Sequence, residues 1–197
     1  MIQHDFDPEK LRPAEYIHDP DPRNAQIVWH DNATGVIRPV EASDLHDAVA
    51  AFSIHSGVPE DIAQHFETVK NIYLYSWFIY RFQPVAELES LACLEYALRV
   101  RRADEIRSGK LKEKRPGLQR LMRYAIDKEL VKNEGFARWV RAQDSEWDLL
   151  SSLEEALPQI RNDYAHGSYN LTPTALGIIE LVHEIINQLF APPVRTP

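Results

Sequence analysis

Apolar residues recur every three or four positions over most of this chain, and that period predicts helices. Leu45, Val49 and Phe52 fall at helical spacing, with Ser43 as the cap. Pro59 opens a longer helix, in which Ile62, Phe66, Val69, Ile72, Tyr73, Ser76, Ile79 and Tyr80 form one broad stripe. Pro84 opens a third, with Leu88, Leu91, Leu94 and Leu98 on its buried side. Leu118, Leu121, Met122, Ala125, Ile126 and Leu130 keep a clean rhythm that is expected to end around Asn133 and Gly135, before a short piece from Phe136 to Val140. Ser145 is expected to cap the next helix, with Asp148 at the capping-box position and Leu150, Leu153, Leu157 and Ile160 on its apolar side. Pro158 should kink it, because its ring meets the carbonyl one turn back and its nitrogen cannot donate. His166-Gly167 suits a helix end. Thr172-Pro173 opens the last helix, whose Leu176, Ile179, Val182, Ile186 and Leu189 face a core until Pro192 and Pro193 stop it.

The first forty residues read differently. A stretch rich in proline and aspartate shows no sustained period and predicts an extended arm. Two β-prone runs follow, Gln26 to His30 and Val36 to Val40, separated by turn formers and Gly35, which predicts a small hairpin. The expected fold is therefore mainly α: an up-and-down helical bundle over 41–197 behind an N-terminal arm and β-hairpin over 1–40.

Composition changes this picture little. With 197 residues, 44% hydrophobic and 26% charged, the chain can bury a core without staples. Its one cysteine, Cys93, lies in an apolar helical pattern and reads as a small core residue in a reducing compartment. The acidic start lacks the pattern of a secretory signal and no run is long enough to span a membrane, so the expected location is cytoplasmic, away from any membrane. Charge matters more. The net charge of −8 argues against a polyanion as ligand, yet ten basic residues lie between Arg99 and Arg123 against only Asp104, Glu105 and Glu113. Arg99, Arg102, Lys112, Arg120 and Arg123 are thus candidate RNA contacts, although a solvated helix end and loop gives the same pattern. There is no Gly-rich phosphate loop, no His-Glu-x-x-His pair and no Gly-x-Ser-x-Gly elbow. The histidines at 4, 18, 30, 46, 55, 65 and 183 lack metal-ligand spacing, and neither a cofactor nor a metal is expected.

One segment carries chemistry. Arg161-Asn162-Asp163-Tyr164-Ala165-His166 joins a permanent cation, an amide and an imidazole at a helix end. A guanidinium binds phosphate bidentately, and an imidazole takes or gives a proton near neutral pH. Asn162 and His166, four apart, share a face; Arg161 and His166, five apart, are separated by roughly 140° on an ideal helix. Glu87, Glu89 and Glu95 lie on one upstream helix and are candidate partners for Arg161.

This segment, with Gly167, resembles the Arg-x4-His signature of HEPN domains, in particular the subset with Asn after Arg and Ala-His-Gly at the end. The order of helices around it is similar too, from about Pro59 to Phe190. The resemblance implies a helical bundle and a homodimer that pairs two motifs in one cleft. It further implies a metal-independent endoribonuclease, as in toxins or defence systems, in which an antitoxin or regulatory protein restrains cleavage. Carried to matching positions, Arg161 and His166 are the catalytic pair and Asn162 a polar helper. Tyr164, inside the motif, is a candidate to line the cleft and touch RNA, with packing in the core as the alternative. Some toxins of the family carry a tyrosine two residues after the histidine; Ser168 stands there, and Tyr169 follows. The alternative expectation is a non-catalytic RNA-binding or protein-interaction module, with Arg161 paired to a carboxylate and Asn162 and His166 linking helices.

Overall fold

Seven α-helices and one two-stranded hairpin form among the residues that the computed structural model describes, which are 6–30, 34–103, 107, 116–141, 148–167, 171 and 174–192. The helices are α1 (Ala42–Ala50), α2 (Glu60–Tyr75), α3 (Phe82–Arg101), α4 (Leu118–Asp127), α5 (Ala137–Arg141), α6 (Leu149–Ala165) and α7 (Ala175–Leu189). α3 is the hub, packed on α2 and α7 and, on another side, on α4 and α6. Ile62 and Phe66 from α2, Leu91, Leu94 and Leu98 from α3, and Ile179 and Ile185 from α7 are essentially sealed from water. Each such side chain contributes on the order of 1.5–3 kcal/mol by leaving water. Cys93 lies in the same core, its thiol directed at the Ile62 carbonyl at 3.8 Å.

The hairpin pairs β1 (Val28–His30) with β2 (Ile37–Pro39) antiparallel, with Trp29 opposite Arg38. Gly35, at φ +70°, supplies the left-handed residue before β2. Arg38 then reaches Asp44 of α1 through two bonds of 2.7 and 2.6 Å, which fastens the hairpin to the bundle.

The arm is a set of short 3-10 turns rather than an extended strap, and its polar residues are structural. α2 was expected to continue through Tyr80 but ends at Tyr75, because the arm captures the backbone beyond it. Asn24, 1% exposed, donates its amide to the carbonyls of Trp77 (2.7 Å) and Ser76 (3.3 Å). Asp21 accepts the Tyr80 amide at 3.0 Å, and its own N–H donates to the Trp77 carbonyl at 2.9 Å. Groups left unpaired at a helix end thereby find partners in the arm.

Other helix ends also differ from the sequence expectation: α3 begins at Phe82, two residues before Pro84, which was expected to open it. α1 starts at Ala42, one residue before the expected cap Ser43, with the Asp44 carboxylate accepting the Glu41 amide at 2.7 Å. α4 stops at Asp127, well before Asn133: Glu129 takes φ +53° and Leu130 donates back to the Ala125 carbonyl at 2.9 Å, the wrapped ending that usually employs glycine. α6 is capped by Asp148 itself, which accepts from Ser151, while Asn133 accepts the Leu150 amide at 3.0 Å. Pro158 lies buried within α6, and the helix continues on both sides of it. The expected caps Ser145 and Thr172-Pro173 and residues 108–115, with the candidate Lys112, lie outside the described residues.

Candidate functional site

The last turn of α6 is positioned by what lies behind it. Leu150, Leu153 and Leu157 bury one side of the helix, and Tyr164 extends that side to its end. The Tyr164 hydroxyl donates to Glu87 of α3 at 2.7 Å, and both residues are buried, at 6% and 4% exposure. Burial raises both groups above their ordinary pKa; the hydrogen bond from Tyr164 offsets part of the rise at Glu87, and the facing carboxyl adds to it at Tyr164. Tyr164 therefore lies inside the protein as an anchor, not on a surface that RNA touches, as the sequence reading had it.

With that side fixed, the other motif residues follow from helix geometry. Arg161, three residues before Tyr164, lies at the margin of the buried side, with its Nε 3.5 Å from Glu95 of α3. Because Arg161 meets Glu95 and Tyr164 meets Glu87, α6 runs antiparallel to α3. Asn162, Asp163, Ala165 and His166 are exposed. His166 is two residues from Tyr164, roughly 200° away on an ideal helix, and so faces solvent. It ends the helix: its N–H still donates to the Asn162 carbonyl at 3.0 Å, and Gly167 turns the chain at φ +87°. Arg161 and His166 are thus directed to different sides of one helix, the geometry expected from their spacing.

Arg161 and Asn162 line a cleft of about 300 Å³ with Pro158 of α6, Glu95 of α3, and Gly117, Leu118, Gln119 and Arg120 at the start of α4. Among the described residues Glu95 is its one acidic wall, and both carboxylate oxygens are engaged, one with Arg99 and the other with Arg161.

The remaining basic candidates divide by what holds them. Arg99 is paired to Glu95 and also reaches the Pro116 carbonyl. Arg102 is 8% exposed, its guanidinium over the Tyr124 ring at 4.5 Å, where the cation meets an aromatic face rather than a ligand. Arg123 pairs with Glu154 of α6. Arg120 lines the cleft. The structure thus brings Arg120, Arg161 and Asn162 together, keeps Arg102 and Tyr164 inside, and points His166 elsewhere. Glu95 and Gln119 enter the site without having been singled out as binding residues. Helix spacing marks Glu95 only as one of three candidate carboxylates, and nothing local in the sequence marks Gln119, since the approach of α4 to α6 is a tertiary contact.

Among the described residues no group of three or more His, Cys, Asp or Glu side chains is arranged to hold a metal ion, and no helix is long and apolar enough to cross a membrane. Comparison with family models, with curated proteins and with solved structures gives no match to this chain.

Proposed function

We propose that this protein is a metal-independent endoribonuclease of HEPN type that acts as a homodimer, with Arg161 and His166 as the catalytic pair and Asn162 beside them. The observation that carries this reading is the presentation of the motif. Tyr164 is locked to Glu87 inside the protein, while Asn162 and His166 are exposed and Arg161 borders a cleft on the same helical turn. A buried clamp with chemically useful groups on its outer side is what a preorganised site requires.

In the proposed reaction a ribose 2′-hydroxyl attacks the adjacent phosphate. His166 takes or gives the proton, and the Arg161 guanidinium stabilises the charge that develops on the phosphorane oxygens. The 5′-oxygen leaves as a hydroxyl, and the other product carries a 2′,3′-cyclic phosphate. Since Arg161 and His166 face different sides of α6, the pair is completed across two subunits, with each imidazole next to the partner's guanidinium.

The Arg161–Glu95 ion pair favours a second reading, a non-catalytic RNA-binding or interaction module, because it gives the guanidinium a structural partner. One experiment separates the two. Incubation of the purified protein with RNA in EDTA is expected to yield cyclic-phosphate ends. Arg161→Ala or His166→Ala should lower the rate by about 10²–10⁴-fold, the usual contribution of a positioned acid–base group. RNA that is bound but never cut supports the module; cleavage indifferent to both substitutions rules out the nuclease site.

A further inference from the structure

We infer that the cleft between the start of α4 and the end of α6 is a phosphate subsite, which on the nuclease reading above seats a backbone phosphate flanking the one that reacts. Its volume of about 300 Å³ is at the small end of ligand pockets, enough for a phosphate with part of its sugar. Arginines from two different helices line it, Arg120 of α4 and Arg161 of α6, together with Gln119 and Asn162. Guanidiniums and amides are the donors that recognise phosphate oxygens without reading a base.

Two further features favour an anion over a neutral ligand. Among the described residues Glu95 is the one carboxylate in the wall, and its single charge is shared between Arg99 and Arg161. The α4 end that borders it begins at Gly117, a residue without a side chain to cap it, and Leu118, Gln119 and Arg120 form its first turn. The amides of a first helical turn have no partner within the helix, and the helix dipole is positive there. This adds to a cleft already lined by two arginines. His166 does not border the cleft, so the subsite binds and orients; it does not supply the acid–base group.

The test uses the full chain in chloride buffer, with amide-resolved NMR during titration with inorganic phosphate and, separately, with an uncleavable 2′-O-methyl oligonucleotide. Phosphate is expected to shift the amides of Leu118, Gln119 and Arg120 and to bind at least tenfold more weakly to Arg120→Gln. Arg120→Lys, which keeps the charge but not the fork, should fall between the two. The oligonucleotide is expected to displace phosphate from the wild-type protein. Absence of those shifts, or equal affinity in Arg120→Gln whose spectrum shows it folded, overturns the subsite. Phosphate binding that the oligonucleotide does not displace overturns its assignment to a nucleic-acid backbone. RNA that is never cut, alongside these shifts, removes the nuclease reading and leaves the subsite standing; cleavage without them does the reverse.

Discussion

Asp21 and Glu87 are buried to nearly the same degree, 1% and 4% exposed, and each ties one part of the chain to the bundle, yet their surroundings push the two carboxyls in opposite directions. Burial alone raises both. Around Asp21 that effect is outweighed by the Arg23 guanidinium, bonded at 2.8 Å, and by the amides of Tyr80 and Arg23, so the group is held below the usual carboxylate range. Around Glu87 the one answering group among the described residues is the neutral hydroxyl of Tyr164, and the carboxyl stays raised. The arm is therefore locked by a charge with full compensation, and the candidate site by a carboxyl that resists ionisation. A scaffold contact can be built for strength, whereas the contact behind the motif is poised nearer to a protonation change.

The largest effect is expected from Asp21→Ala, which leaves Arg23 and the Tyr80 amide without their shared acceptor. Breaking one side of a buried pair costs about 3–5 kcal/mol; Arg23 is partly exposed and keeps Glu9, so chemical denaturation should show a loss at the low end, about 3 kcal/mol, and proteolysis should cut first in the arm. Tyr164→Phe comes next, at about 1–3 kcal/mol, the cost of stranding a buried polar group. Its damage should appear as faster amide exchange in the last turn of α6, with the arm untouched. If instead the arm loosens, the two locks are not independent.

The pH dependence has opposite signs at the two places. A carboxyl with a depressed folded pKa lends stability above its unfolded value and loses it as pH falls through the folded one; Asp21 should release the arm in acid. A carboxyl with a raised folded pKa lends stability below its unfolded value and loses it as pH rises through the folded one; Glu87 should weaken the α3–α6 contact on the way up from the ordinary glutamate range. The smallest effect is expected from Glu87→Gln, which keeps an acceptor for Tyr164 and removes the charge. Melting temperature should change by no more than a few degrees, equivalent to about 1 kcal/mol or less, and the loss of stability with rising pH should vanish. A slope that persists in Glu87→Gln would assign that pH dependence to another group.

How much of this was legible in the sequence depends on the range of each interaction. Helical period placed α2, α3 and α7, because it reports only whether a side is buried. Gly167 was legible as a helix end for the same local reason, and the angle between Arg161 and His166 follows from their spacing alone. The locks were not legible. Tyr80 is 59 residues from Asp21, and Tyr164 is 77 from Glu87, so nothing near either residue announces its partner. Asp148 shows a different kind of difficulty: Ser145 and Asp148 satisfy the spacing of a capping box, and so does Asp148 with Ser151, which is the pair that forms. The basic cluster likewise could not be sorted from composition, because Arg102 and Arg123 differ only in the tertiary neighbours, Tyr124 and Glu154, that hold them.

Cys93, buried with its thiol pushed up to about 12, has one more consequence. Alkylating reagents and spin labels react with exposed thiolates, so the native protein is a silent background for both. A cysteine introduced at exposed Glu60, at the first turn of α2, becomes the single addressable thiol of each copy. Electron–electron distances between labelled copies would then test the proposed pairing of two chains directly, with every motif residue left as it is.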